Sequence, residues 1–161
     1  LIILYMLNEV DFPLTNSQIS EFILDEGYTT YFKLQQALSE LLESGFIREE
    51  STHHRTFYHL TEDGAETIHY FTNDISPAIQ HDIDEFLKEK HYELKNEMSV
   101  KADYFENSNM EYSVRCQVIE QGLPLIDLTV TAPTESEAAT IANNWQKRNQ
   151  EIYALVMAKL L

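Results

Sequence analysis

The chain has 161 residues, 43% hydrophobic and 24% charged, a mix that suits one globular domain or two small ones and excludes wholesale disorder. Four Gly and four Pro exclude a collagen-like or linker-like chain, and a single cysteine, Cys116, excludes an internal disulfide or a Cys-based zinc cluster. With 11 basic against 27 acidic residues the net charge is −16, so phosphate repels the molecule as a whole and any nucleic-acid contact needs a local exception.

Residues 1–8, opening Leu1-Ile2-Ile3-Leu4-Tyr5-Met6-Leu7, read as a short apolar helix. The run is far below the roughly 18–20 residues of a membrane span. It has no basic flank or small-residue cleavage site, so neither a signal peptide nor an anchor is expected and a cytoplasmic protein is the simplest reading. Asp11-Phe12-Pro13 predicts a loop. Thr15 with Gln18 forms a capping box for a second helix, which carries Ile19, Phe22 and Ile23 on one face and stops at Gly27. Thr29 or Thr30 caps a third, with Leu34, Leu38, Leu41 and Leu42 at helical spacing and Gly45 at its end.

The period then changes to that of a hairpin, with strands at 46–50 and 56–60 around the polar loop Ser51-Thr52-His53-His54-Arg55. Thr61 caps a fourth helix, and Glu62 and Asp63 suit its first turn, whereas Gly64 costs it propensity. After a break at 73–77, Ser76 and Pro77 open a helix to about Met98, with Ile79, Ile83, Phe86, Leu87 and Leu94 inward. From Ser99 apolar and polar residues alternate in three strands: Val100-Ala102-Tyr104, Tyr112-Val114-Cys116-Val118 and Ile126-Leu128-Val130. Asn107-Ser108-Asn109 and Glu120-Gln121-Gly122 turn between them. Thr134 caps a last helix to Leu160, with a stripe of Ala138, Ile141, Ala142, Trp145, Ile152, Leu155 and Val156. The expected class is α+β: a domain at 1–73, a connecting helix at 74–98, and at 99–161 an antiparallel sheet covered by one long helix.

Three short helices followed by a hairpin is the winged helix-turn-helix order. Leu38-Ser39-Glu40-Leu41-Leu42-Glu43-Ser44-Gly45-Phe46-Ile47 and Tyr58-His59-Leu60-Thr61-Glu62-Asp63-Gly64 resemble two passages common to PadR-type and MarR-type bacterial regulators. The whole chain resembles domain-of-unknown-function family 4364, a resemblance carried by the stretch from Leu1 to Asn8 and on through Phe12-Pro13-Leu14-Thr15-Asn16-Ser17-Gln18-Ile19. The resemblance implies a winged-helix fold, with the third helix as recognition helix and residues 46–60 as wing.

Charge marks where such a domain would meet DNA. Residues 27–61 carry three cations (Lys33, Arg48, Arg55) against four acids (Glu40, Glu43, Glu49, Glu50), and Gly27 to Ser39 holds no acid at all. Because the first turns of a recognition helix enter the major groove, Thr29, Thr30, Lys33, Gln35 and Gln36 are the candidate base and phosphate contacts. Gln suits adenine, and Lys suits guanine or phosphate. His53, His54 and Arg55 at the wing tip are candidates for phosphate or the minor groove, and the same residues also fit a plain solvated surface. Glu40 and Glu43 share the helix stripe farther along and would repel a backbone.

The last helix, about 27 residues and about 40 Å long, should overhang its sheet. Its apolar end, Tyr153, Val156, Met157, Leu160 and Leu161, is the candidate homodimer surface, unless it packs on the helix at 76–98. Tyr104, Phe105 and Tyr112 read as core before they read as an effector site. Cys116, with no basic neighbour on its own face, reads as an inert buried thiol. No phosphate loop, G-x-S-x-G, H-E-x-x-H or calcium loop is present, and His81 with Glu85 is an ordinary i,i+4 pair. The expectation is therefore a DNA-binding transcriptional regulator, not an enzyme, with no cofactor, no metal and no membrane partner. An interaction module for a basic protein partner is the alternative that net −16 keeps open.

Overall fold

The computed structural model describes residues 1–53 and 55–161, with every side chain but that of Met98. The chain is α+β and divides into two compact units. The first comprises Leu1–Ser51 and Arg55–Met98; the second holds Ser99–Leu161 together with Thr52 and His53 from the hairpin tip.

In the first unit α1 (Ile2–Asn8), β1 (Leu14–Thr15), α2 (Asn16–Asp25) and α3 (Tyr31–Glu43) precede the wing-like strands β2 (Ile47–Ser51) and β3 (Thr56–Leu60). α4 (Glu62–Phe71), a 3-10 turn (Thr72–Asp74) and α5 (Pro77–Ser99) follow. The sheet is antiparallel in the order β1-β3-β2. Five consecutive α1 residues, Ile3 to Leu7, are buried, as expected of a helix apolar all round. They share a core with Ile19, Phe22, Ile23, Leu34, Leu38, Ile47, Ile68 and Ile83. The Thr15–Gln18 capping box forms as the spacing predicts. α2 and α3 close alike: Gly27 and Gly45 adopt left-handed backbone (φ +69° and +73°). The Gly27 and Tyr28 N–H groups reach Leu24 and Ile23 carbonyls, and those of Gly45 and Phe46 reach Leu42 and Leu41, the Schellman pattern that satisfies the last carbonyls of a helix.

The third strand of this sheet departs from the sequence reading. Leu14 and Thr15 pair with Tyr58 and Phe57. Two residues are too few to show a period, so β1 exists only because β3 supplies its partner.

α5 is held by phenol-to-carboxylate bonds. Tyr5 Oη donates to Asp84 at 3.1 Å and Tyr28 Oη donates to Asp82 at 2.6 Å. Burial, and next these carboxylate partners, push both phenols up to about 12.

The second unit is the sheet β4 (Val100–Glu106), β5 (Tyr112–Glu120) and β6 (Leu123–Ala132), antiparallel in that order, with α6 (Glu135–Leu160) on one face. The register aligns Val100, Ala102 and Tyr104 with Val118, Cys116 and Val114, and these with Ile126, Leu128 and Val130, so the alternating residues share the inner face. A register shift between Val118 and Ile119 lets Leu123 and Pro124 extend β6 beyond the alternating run. α6 opens on the Thr134–Glu137 capping box. Its stripe buries Ala138, Ala142 and Trp145 under the sheet, and Trp145 Nε1 donates to the Gln117 carbonyl at 3.1 Å. Buried Asn149, absent from the apolar stripe, turns its amide back onto the Trp145 and Gln146 carbonyls. Cys116 lies in the core, where burial pushes its thiol up to about 11 and keeps it uncharged.

Gly64, a poor helix former, has a packing reason. A Cβ at this position would lie 2.1 Å from the Phe46 carbonyl oxygen, and backbone cannot give way as a side-chain tip could. Gly64→Ala should therefore destabilise the chain by about 1–3 kcal/mol, read as a lower chaotrope midpoint. An unchanged midpoint would mean that α4 does not pack this closely.

Candidate nucleic-acid interface

α3 is positioned at its C-terminal end and along one side. At its C-terminal end, Gly45 and Phe46 lead directly into β2. Thr61 ties that junction to α4: its N–H donates to the Phe46 carbonyl at 3.1 Å. Its hydroxyl lies within donating reach of the Gly45 and Phe46 carbonyls, at 2.7 and 2.9 Å. On its inner side, Leu34 and Leu38 are buried. Between them and the surface sits an amide pair: Asn16 Nδ2 donates to Gln35 Oε1 at 3.1 Å, and Gln35 Nε2 donates back to Asn16 Oδ1 at 3.3 Å. Asn16 also donates to Tyr58 Oη at 3.2 Å and accepts from Ser20. One side chain at the start of α2 thus fixes α3 and β3 together.

The first turn of α3 stands clear of the body. Thr30 caps it, accepting weakly from the Lys33 N–H at 3.5 Å. Tyr31 and Phe32 are 61% and 78% exposed, and Lys33 is exposed beside them, whereas Leu34 is 1% exposed. Successive helical residues turn by about 100°, so three exposed positions in a row sweep most of the circumference. The exposed first turn thus lies within the acid-free segment, while Glu40 and Glu43 are exposed farther along the helix.

The sequence candidates separate into two groups. Thr30, Lys33 and Gln36 are exposed and Thr29 is half-buried. Gln36 Nε2 donates to Glu40 Oε1 at 3.0 Å in an exposed contact, so the carboxylate one turn on holds an amide that water can replace. Gln35, His53 and Arg55 are engaged in the structure. Gln35 faces Asn16 as described. Half-buried Arg55 donates from Nη1 to the Glu97 carbonyl at 2.9 Å. His53 belongs to the second unit, its ring stacked on Tyr104 at 3.9 Å and 9°. Its main-chain N–H donates to Asp103 Oδ1 at 3.2 Å, and its Nδ1 meets the same oxygen. Burial would raise the Asp103 carboxyl, but hydrogen bonds from His53 and from the Tyr104 N–H outweigh it and hold the group below the usual carboxylate range. His54 lies outside the described residues. Sequence reasoning missed Tyr31 and Phe32, since a helical aromatic reads as core until packing turns it outward. It also missed Asn16, whose role needs three partners from distant elements.

At the other candidate surface, Tyr153 and Val156 are half-buried, and Met157, Leu160 and Leu161 are exposed together with Leu155.

The protein family described as Domain of unknown function (DUF4364) matches residues 1–160. No curated protein and no solved structure matches the chain. The match spans both units, as the resemblance of the whole chain implied. Among the described residues no helix is long and apolar enough to cross a membrane.

The amide pair makes a measurable claim. Asn16→Ala and Gln35→Ala should each cost about 1 kcal/mol of stability, and the double variant should cost less than their sum. Additive losses in chaotrope titrations would show that the two amides do not work as a pair.

Proposed function

The chain belongs to the DUF4364 family, and we propose that it is a DNA-binding transcriptional regulator of winged-helix type that acts as a homodimer. The observation that carries this reading is the projecting, acid-free first turn of α3 in a chain of net charge −16. Twenty-seven acids are distributed so that none falls between Gly27 and Ser39, the stretch that would enter a major groove. Helices α1 to α3, followed by a wing-like hairpin in a sheet of order β1-β3-β2, support the same reading.

In the proposed mode Lys33 meets a phosphate or guanine, Gln36 leaves Glu40 for a base edge, and Thr29 and Thr30 bond the backbone beside them. Gln35 and Arg55 act one step back, Gln35 by fixing α3 against α2 and Arg55 by tying the loop end of β3 to the Glu97 carbonyl. So few cations per copy bind weakly, since affinity follows the number of phosphates neutralised. A dimer doubles that number and sets two half-sites. The exposed apolar end of α6, with Leu155, Met157, Leu160 and Leu161, is the proposed dimer surface.

One observation favours a second reading, an interaction module for a basic protein partner. The molecule carries net charge −16, and Arg55, one of only three cations between residues 27 and 61, bonds the Glu97 carbonyl within the chain.

Lys33 separates the two. On duplex DNA from the protein's own promoter region, log affinity should fall linearly with log salt. Lys33→Ala should reduce that slope by about 1, and Lys33→Glu should abolish binding. A basic protein partner would instead bind the Lys33→Glu variant more tightly. Sedimentation should report a dimer at tens of micromolar that Leu155→Asp with Leu160→Asp converts to monomer; a wild-type monomer there would defeat the dimer.

A further inference from the structure

Two aromatic side chains at the exposed start of α3 do not fit a purely electrostatic contact. An ordinary surface helix turns apolar residues inward. Here Leu34 does so at 1% exposure, while Phe32 is 78% and Tyr31 61% exposed. Phe32 has no hydrogen-bonding group, so a partner recognises it through an apolar surface alone. Lys33 follows it directly, and the acid-free stretch on both sides admits an anionic partner.

In a major groove the one apolar feature of a base edge is the thymine 5-methyl group, and Phe is among the side chains that contact it. Gln36 lies four residues on from Phe32 and hence on the same face. Its amide suits the N6 and N7 of adenine, provided it leaves Glu40, and the contact it leaves is exposed. Phe32 and Gln36 therefore present to a groove the two chemistries that an A·T pair displays there and a G·C pair lacks.

We infer that α3 reads A·T base pairs, Phe32 packing on a thymine methyl while Gln36 bonds adenine one turn along the same face. This rests on the DNA-binding reading above and adds the sequence class of the operator. Specificity then comes from apolar and amide contacts, which carry no charge. A protein so acidic can read bases through them without the dense basic surface of a typical nucleic-acid binder.

The test starts with the full chain and a random-sequence duplex pool at low salt. A recovered duplex is then remade with deoxyuridine replacing thymine one position at a time, which removes only the methyl. The expected result is a loss of about fourfold in affinity for each contacted methyl, confined to one or two positions per half-site. Phe32→Ala should bind thymine and uracil duplexes equally, with unchanged circular dichroism, since an exposed side chain adds little to the fold. Gln36→Ala should relax discrimination at the neighbouring adenine. If a duplex is recovered and no uracil substitution matters, the inference is overturned and DNA binding stands. If no duplex is recovered at low salt, DNA binding falls, and this inference with it.

Discussion

The Phe46 carbonyl accepts the Thr61 N–H at 3.1 Å, and its oxygen occupies the space that any side chain at residue 64 would need. α4 can therefore start only with a glycine in its first turn, laid against the point where α3 passes into β2. Two stretches of sequence, 38–47 and 58–64, meet here. Gly45 and Phe46 belong to the first, and Thr61 and Gly64 to the second. Gly45 reverses the chain in left-handed backbone, and Thr61 bonds across the junction while capping α4 through the Gly64 N–H. The direction of α3, and so what its far end presents, depends on this one close approach.

From that junction the projection of α3 follows. Leu34 and Leu38 root the helix in the core, and the Asn16–Gln35 amide pair stops it from rolling. The opening turn, which holds no carboxylate, is left uncovered on several sides, and farther along the outer stripe with Gln36, Glu40 and Glu43 is exposed. The acids beyond it, Glu40 and Glu43, lie toward the Gly45 end. A helix docked along its whole length would have hidden Phe32. A helix rotated by one residue would have turned Gln35 outward and Gln36 to a half-buried position.

The second unit is built unevenly. α6 covers β4 and β5, burying Val100, Ala102, Val114 and Cys116, whereas Ile126, Leu128 and Val130 on β6 stay partly open. β6 is a sheet edge, a place where chains pair unless something prevents it. Pro124, which has no N–H to donate, and the register shift opposite it interrupt that edge. Arg115 and Gln117 both bond Asp127 on the outer face. The far end of α6 leaves Leu155, Met157, Leu160 and Leu161 exposed.

Much of the fold was legible because its signals are local. The capping box at Thr15, the cap at Thr134, glycines at 27 and 45, and strict alternation from Val100 to Val130 each depend on residues a few positions apart, and all formed as read. The acid-free segment was legible too, since charge survives without coordinates. Tertiary structure decided what depends on distant partners. It gave Leu14 and Thr15 a strand, found the use of Gly64, turned Gln35 toward Asn16 and Arg55 toward Glu97, and left Phe32 in water. An amide, a guanidinium or a phenyl ring has the same sequence signature facing in or out. Only the neighbours that folding brings from tens of residues away fix which way it faces.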